Sequence, residues 1–191
     1  AFVSDYARFY VLYQEGGLYF DTDVEVIRNM DHIIAEGAFM GFEQSGATKR
    51  QNQAIQSVNT LGIAPGLGLG VPPKLGLIYE LLDFYEAKQH FAVEDGTVVD
   101  YTTEIFKRHG FINEHKLQKV ADITIYPADY FCPMDSTTGI TIITENTVAI
   151  HHYSCSWIDH NTFSWCMHLL KNKAIRLLGE KWIMKVIKLL K

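Results

Sequence analysis

Two aspartates separated by one residue follow a short apolar run near the start of the chain. In the stretch GGLYFDTDVEV, residues 16–26, they are Asp21 and Asp23. Carboxylates are almost never buried without partners, because taking each ion out of water costs several kcal/mol. A cation is therefore expected beside this pair. In an extended strand their Cα atoms would lie about 6.6 Å apart, which is too far for symmetric chelation of one ion without a backbone turn.

The pair predicts a divalent metal site of the kind that binds phosphates. Hard cations such as Mg²⁺ and Mn²⁺ prefer oxygen ligands and commonly combine one or two carboxylates with substrate phosphates. One aspartate would hold the ion, and the other would bind a ligand hydroxyl or a water of the ion. A calcium-binding EF-hand loop is excluded, since counting from Asp21 puts Val26 at its glycine position and His32 at its glutamate position. The alternative, which the triplet alone favours, is that both side chains only end a strand and face water.

Composition limits the classes of protein that the chain can represent. Its 191 residues are 48% hydrophobic and 20% charged, which is enough for one sizeable core. The net charge of −5 argues against nucleic acid as a partner, because phosphate-driven binding needs a basic face. The three cysteines have no CxxC spacing, so neither a disulfide framework nor a structural zinc site is indicated, and a reducing, cytoplasmic setting is expected. No apolar run reaches the roughly 20 residues of a membrane-spanning helix.

The elements that would position the aspartates begin with a helix. The stretch FVSDYARFYVLYQEGG predicts a helix capped by Ser4 and ended by the glycine pair. Asp5 and Arg8 would share one face of it, because they are three residues apart. The following LYFDTDVEVI predicts one continuous strand with both aspartates on the same side. Since the chain opens at Ala1 inside the helical pattern, its natural N-terminus is expected to be absent.

Further along the chain, the patterns predict loops, helices and strands in turn. Residues 44–76 are rich in Gly, Ser, Gln, Asn and Pro and predict a long irregular region, either a mobile lid over the site or a disordered insertion. LIYELLDFYEAKQHF predicts a second helix, and TTEIFKRHG a third, with a threonine cap and Gly110 as its stop. ADITIYPADYF and ITIITENTVAIHHYSCSW alternate as strands do, with ENT as a hairpin turn. In a strand, His151 and His152 would point to opposite faces.

The C-terminal residues differ from the rest of the chain in charge. Between positions 171 and 191, seven Lys or Arg residues stand against one acid, Glu180, so the formal charge of this segment is +6 and that of the remainder −11. Apolar residues at helical spacing, including Trp182, predict an amphipathic helix over 169–191, separate from a main domain of residues 1–168. Two interpretations are open: the helix binds an anionic membrane surface, or it docks its apolar face on the core.

Several of these motifs occur together, and in the same order, in one known family. The chain resembles glycosyltransferase family 32, sugar-nucleotide enzymes with an Asp-x-Asp motif that include capsular polysaccharide synthesis enzymes and yeast-type initiating mannosyltransferase homologues. The resemblance implies an α/β fold of the nucleotide-diphospho-sugar transferase (GT-A) type, a Rossmann-like sheet with helices on both sides. Family members usually begin with a further strand and loop, so the N-terminal strand would be missing here. The shared positions are Ser4-Asp5, Arg8, Gly16-Gly17, Tyr19, Asp21-Thr22-Asp23, YPADYFCP, His151 and Ser156-Trp157.

The resemblance implies roles for the residues around the first motif. Asp23 would bind the metal directly, and Asp21 would bind the ribose or sugar hydroxyls, directly or through the ion. Asp5 and Arg8 would hold the sugar hydroxyls, and the arginine would also offset charge near the diphosphate. The alternative for this second pair is a local ion pair worth only tenths of a kcal/mol.

It also implies roles for residues near the end of the main domain. His151 would complete the coordination of the ion or contact the diphosphate, and Ser156 and Trp157 would donate hydrogen bonds to the leaving phosphate. The alternatives are a hydrogen-bonded, partly buried imidazole and a tryptophan that only packs. On this interpretation the catalytic residues are Asp21, Asp23 and Arg8.

The implied activity is a metal-dependent, retaining transfer of a hexose from a UDP- or GDP-sugar to a saccharide or lipid-linked oligosaccharide acceptor, in capsular or other surface polysaccharide synthesis. Mn²⁺ or Mg²⁺ would be the cofactor, and the cytoplasm, including the inner face of the cytoplasmic membrane, the location. Two other classes stay open. A metal-dependent phosphohydrolase or nucleotidyltransferase would want further carboxylates, of which only Glu25 is obviously placed. A noncatalytic carbohydrate-binding module would bind sugar without metal.

Overall fold

The described part of the chain is a mixed α/β structure with ten strands and five helices. The computed structural model describes residues 2–45, 48–51, 54–57, 60–88, 96–136 and 139–154. In chain order the elements are α1 (Phe2–Glu15), β1 (Gly17–Tyr19), β2 (Val24–Val26), α2 (Asp31–Ala35), β3 (Phe39–Ser45), β4 (Thr48–Gln51), β5 (Ala54–Ser57), β6 (Thr60–Ile63), β7 (Leu69–Val71), α3 (Gly76–Ala87), α4 (Val98–Arg108), β8 (Gln118–Val120), β9 (Ile123–Tyr126), α5 (Ala128–Phe131) and β10 (Ala149–His151).

The first helix turns both charged and apolar residues toward the interior. The buried residues of α1 are Asp5, Arg8, Phe9 and Leu12. Their spacing of three and four residues places them on one face, as predicted for Asp5 and Arg8. The helix ends at Glu15, and the next residue, Gly16, has a left-handed φ of 68° and donates its N–H to the carbonyl of Leu12 at 2.9 Å. Ser4 is not the N-cap, because α1 already includes Phe2 and Val3.

The largest sheet has the strand order β1-β7-β3-β9-β8, with β6 paired to the second half of β3. The first residues of its central strand β3 are buried, with Phe39, Met40 and Phe42 at most 1% exposed. A mixed sheet flanked by helices is compatible with the predicted GT-A type of fold. It differs from a Rossmann-like sheet in direction, because β3 and β9 form the parallel pair while the other described pairings of this sheet are antiparallel.

The prediction of a long irregular region over residues 44–76 is wrong for the residues that the structure describes. β4 and β5 pair with each other, β6 pairs with β3, and β7 lies between β1 and β3. Residues 62–71 are buried, so this part of the chain is interior structure and not a lid. The reason is that Gly68 and Gly70 stand where side chains of neighbouring elements, such as Phe39 and Phe131, pack directly against the bare backbone.

The continuous strand predicted across the two aspartates is interrupted at them. β1 ends at Tyr19 and β2 begins at Val24, and the N–H of Val24 donates to the carbonyl of Asp21 at 3.1 Å. The two short strands then pair with different partners, β1 with β7 and β2 with β10. Asp21 and Asp23 therefore lie in a tight turn and not on one side of a strand, which removes the obstacle that an extended strand would pose to their convergence.

The two later helices form in the predicted regions, with changed boundaries. α3 spans Gly76–Ala87 and ends before Lys88, whose backbone is extended, whereas the prediction ran to residue 91; residues 89–91 lie outside the described ranges. α4 begins earlier than expected, because Thr97 and Asp100 form a capping box in which each side chain accepts from the other's backbone N–H. The threonines of TTEIFKRHG thus lie inside α4 and do not cap it. Gly110, with φ of 95°, follows the helix as predicted.

The strand predicted in ADITIYPADYF forms only in its first part, as β9, because the second part forms the helix α5. The prediction of a hairpin around ENT is wrong. β10 pairs with β2, from the start of the chain, in antiparallel register. The carbonyls of the segment before it are occupied by a guanidinium, since Nη1 of Arg28 donates to Thr144, Glu145 and Thr147 at 2.6, 2.9 and 3.1 Å. No helix in the described ranges is both long and apolar enough to cross a bilayer. The segment 169–191, and with it the predicted domain boundary, lies outside the described residues.

Candidate metal centre

Three side chains able to bind a metal ion converge beside the paired strands β2 and β10. Asp21 and Asp23 lie in the turn before β2, and His151 is the last residue of β10. The antiparallel register places His151 opposite Val24, next to Asp23. One ligand atom from each of the three residues lies within 4.8 Å of the other two. The structure thus brings together the three residues that were predicted as metal ligands.

The carboxylate of Asp21 is held by groups from three parts of the chain. The hydroxyl of Tyr19 donates to Oδ1 at 2.8 Å, and Nη2 of Arg8 lies 3.5 Å from the same oxygen. The N–H of Asp21 donates to the carbonyl of Gly66 at 2.8 Å. On the other side the carboxylate rests against the bare Cα of Gly66, where a side chain would collide with it.

The carboxylate of Asp23 accepts three hydrogen bonds. Nε2 of His151 lies 3.1 Å from Oδ1, and the N–H and Oγ of Ser154 donate to Oδ2 at 2.9 and 3.0 Å. Burial raises the pKa of Asp23, but the charge that His151 carries when it is protonated in acid and the hydrogen bonds from Ser154 outweigh it, so the pKa is lowered from its usual value. Asp23 is therefore ionised at neutral pH, in the form that binds a cation.

His151 ends β10 and His152 follows it, and the two imidazoles contact different carboxylates, so only His151 joins the cluster. Burial lowers the pKa of His151, although the carboxylates of Asp23 and Asp21 oppose this effect. The imidazole is therefore neutral at neutral pH, the form that binds metals. Its Nδ1 is buried and has no hydrogen-bond partner among the described residues. His152 instead places its Nε2 2.9 Å from Glu25 in a pair that is about half exposed.

Asp5 and Arg8 form a buried ion pair beside the cluster. Nη2 of Arg8 lies 2.9 Å from Oδ1 of Asp5, and the two side chains are 6% and 7% exposed. The guanidinium also lies over the ring of Tyr19, with Cζ 4.7 Å from the ring centroid. Burial raises the pKa of Asp5 against the attraction of Arg8. Nε and Nη1 of the arginine are buried without hydrogen-bond partners in the described part of the chain.

Sequence reasoning missed three residues that support this site. Gly66 had only a weak signal: it belongs to the glycine-rich GLGLG (residues 66–70), and glycine often marks a place where another group approaches the backbone closely. Ser154 and Tyr153 had none, because their positions depend on a left-handed backbone conformation at Tyr153. Two predicted site residues, Ser156 and Trp157, lie outside the described residues.

The donor set fits a divalent cation that accepts both oxygen and nitrogen ligands. Asp21 and Asp23 supply carboxylate oxygens, and His151 supplies a neutral imidazole nitrogen. Bonds from Asp23 and His151 to an ion would replace the hydrogen bond that now joins them. The hydrogen bonds from Ser154 would stay and orient the Asp23 carboxylate, as outer partners of metal ligands commonly do.

Comparison with known proteins identifies a glycosyltransferase signature in the same region. Residues 1–40 match the model of a family described as a glycosyltransferase sugar-binding region containing a DXD motif. The match spans α1, with Asp5 and Arg8, and the turn with Asp21 and Asp23. It supports a glycosyltransferase and does not single out family 32. No curated protein and no solved structure matches the chain.

Proposed function

We propose that the protein is a metal-dependent, retaining glycosyltransferase that moves a hexose from a nucleotide-sugar donor to a saccharide acceptor. The observation that carries this proposal is the convergence of Asp21, Asp23 and His151 next to a buried arginine. His151 is separated from Asp23 by 128 positions in the chain, so local sequence does not account for the cluster. The DXD-containing family match over the aspartates supports the same activity.

Asp21, Asp23 and His151 would hold the cation, which we propose to be Mn²⁺, with Mg²⁺ as the alternative. The imidazole favours Mn²⁺, because Mg²⁺ takes almost exclusively oxygen ligands. When bound, the ion would neutralise the charge that develops on the donor diphosphate as the glycosidic bond breaks.

Arg8 and Asp5 would bind the donor sugar. Nε and Nη1 of Arg8 are buried donors without partners among the described residues, and oxygens of a sugar or a diphosphate would satisfy them. Asp5 balances the charge of the guanidinium and can accept from a sugar hydroxyl. Tyr19 orders both halves of the site, since its hydroxyl bonds Asp21 and its ring lies under Arg8.

The remaining assignments rest on the family resemblance. Ser156 and Trp157 follow Ser154 closely in the chain, and we assign them as hydrogen-bond donors to the leaving phosphate. We assign the donor to the UDP- or GDP-hexoses, and the acceptor to a lipid-linked oligosaccharide of capsular or other surface polysaccharide. The +6 charge of the C-terminal segment supports a location at the inner face of the cytoplasmic membrane.

The surroundings of Glu25 favour transfer over two-metal phosphate hydrolysis. A second ion would need more carboxylates, and Glu25 was the obvious one. Its side chain is exposed and pairs with His152, not with His151. Glu25 therefore stands apart from the three-ligand cluster.

The proposal is tested by release of nucleoside diphosphate from a panel of UDP- and GDP-hexoses, with the full chain and saccharide acceptors, with and without Mn²⁺. We expect turnover that needs Mn²⁺, that Asp23→Asn abolishes and that the matched Glu25→Gln retains. Circular dichroism of Asp23→Asn should show the wild-type fold. Turnover unchanged by Asp23→Asn, or release of phosphate from monoesters that depends on Glu25, would overturn the assignment.

A further inference from the structure

Tyr153 lies between His152 and Ser154, two residues after β10 that both donate hydrogen bonds to Asp23. Its φ of 49° is in the left-handed region, which bulky aromatic residues rarely occupy. Both of its neighbours bond Asp23: the N–H of His152 donates to the carbonyl at 3.0 Å, and the N–H and Oγ of Ser154 donate to the carboxylate. The disfavoured conformation at Tyr153 turns the chain so that both neighbours reach the same residue.

The far end of the Tyr153 side chain is anchored in the body of the protein. Its hydroxyl donates to Oε2 of Glu43 on β3 at 3.2 Å, and Sγ of Cys132 lies 2.9 Å from the hydroxyl oxygen. Burial raises the pKa of Tyr153, and it raises the pKa of Cys132 to about 12, so both groups keep their protons at neutral pH. Hydrogen bonds therefore run from thiol to phenol to carboxylate, and they tie the connection after β10 to the central strand of the sheet.

The ring of Tyr153 supports His151 directly. The two ring centroids are 4.2 Å apart and the planes meet at 67°, an edge-to-face contact. Histidines that bind metals are usually oriented by a hydrogen bond from their second ring nitrogen. Nδ1 of His151 has no such partner within the described ranges. We infer that the contact with the Tyr153 ring fixes the plane of the His151 imidazole instead.

We propose that Tyr153 is a positioning residue of the metal centre: anchored by Glu43 and Cys132, it holds His151 and Ser154 where Asp23 and His151 can bind one cation. This inference rests on the proposed function, because it assigns Tyr153 to the same metal site. Tyr153 acts through its neighbours, and nothing in its role requires contact with substrate.

The test compares three conservative variants of the full chain. Tyr153→Phe keeps the ring and removes the anchor, Glu43→Gln keeps an acceptor for the phenol, and Tyr126→Phe removes the hydroxyl of a buried tyrosine that packs against Phe131. The dissociation constant for Mn²⁺ is measured by paramagnetic resonance of the free ion, alongside melting temperature and nucleoside diphosphate release. We expect Tyr153→Phe to weaken Mn²⁺ binding by about tenfold or more and to slow turnover. The other two variants should bind Mn²⁺ as the wild type does.

The outcomes separate this inference from the proposed function. Wild-type Mn²⁺ affinity and turnover in Tyr153→Phe would overturn the positioning role and leave the glycosyltransferase assignment standing. Equal losses of Mn²⁺ affinity in Tyr153→Phe and Tyr126→Phe would also overturn it, because the effect would then be general loosening of the core. A wild-type chain that binds no Mn²⁺ would overturn both.

Discussion

Asp21 and Gly66 lie so close together that a side chain at position 66 would displace the carboxylate at position 21. A Cβ atom built on Gly66 would lie 2.7 Å from Cγ of Asp21 and closer still to its Oδ2. The two backbones are also joined, since the N–H of Asp21 donates to the carbonyl of Gly66 at 2.8 Å. The backbone of Gly66, just before β7, therefore packs directly against Asp21 and fixes the orientation of this candidate metal ligand.

Gly66→Ala should impair the metal centre more than the fold. The new methyl group would clash with the Asp21 carboxylate and displace it from its present position beside His151 and Asp23, so we expect Mn²⁺ affinity to fall by about tenfold or more. Overpacking of the same kind typically lowers the free energy of unfolding by about 1–3 kcal/mol. Titration with Mn²⁺ and unfolding in urea measure the two effects separately.

A second glycine provides the matched control. Gly76 is the first residue of α3, and a Cβ atom there would meet nothing within 4 Å. Gly76→Ala should bind Mn²⁺ as the wild type does and unfold at the same or a slightly higher free energy, by up to about 1 kcal/mol. If Gly66→Ala and Gly76→Ala had the same Mn²⁺ affinity, Gly66 would have no role beneath the site.

The features that sequence predicted correctly depend on local periodicity. Asp5 and Arg8 share a buried face because they are three residues apart in a helix. His151 reaches Asp23 in the cluster while the next residue, His152, reaches Glu25, in keeping with the prediction from side-chain alternation that only one of them meets the site. Such patterns are written in neighbouring residues, so no knowledge of the rest of the fold was needed.

The features that sequence missed depend on partners distant in the chain. β2 pairs with β10, which is more than 120 positions away along the chain, and no local pattern around Val24 predicts this pairing. The run around the two aspartates is rich in β-branched and aromatic residues, so it predicted one strand where the fold has two. The glycines of residues 66–70 suggested a loop, although their burial against Asp21 and Phe131 makes them interior packing positions.

The proton bound to Glu43 should stabilise the fold in acid, and this stabilisation should be lost as the pH rises. Burial raises the pKa of Glu43, the charge of Asp100 adds to this, and the hydrogen bond from Tyr153 opposes it. The folded protein therefore binds this proton more tightly than the unfolded chain, where the pKa is 4.5. The resulting stabilisation is fully present below that value and is lost as the pH rises through the folded-state pKa.

Glu43→Gln has no such proton to lose, and it leaves Tyr153, Cys132 and Asp100 in place around the position. Its free energy of unfolding relative to the wild type should rise with pH across that window, with a limiting slope of about 1.4 kcal/mol per pH unit, and then level off. Urea unfolding at a series of pH values measures the difference. Glu104→Gln, at an exposed position on α4, should stay parallel to the wild type. A constant difference between Glu43→Gln and the wild type would contradict the raised pKa.

Substitution by alanine should remove the stabilisation by Mn²⁺ at His151 and leave it unchanged at the neighbouring His152. Mn²⁺ at a hundredfold excess over its dissociation constant should stabilise the wild type by about 2.7 kcal/mol, which for a chain of this size raises the melting temperature by about 5–10 °C. His151→Ala should lose most of that rise, because it removes one of three ligands. His152→Ala should keep it, since its side chain pairs only with Glu25 in the described contacts and its backbone N–H to Asp23 is unchanged. Melting curves with Mn²⁺ and with a chelator measure the shift for each protein, and a shift retained by His151→Ala would remove the histidine from the metal centre.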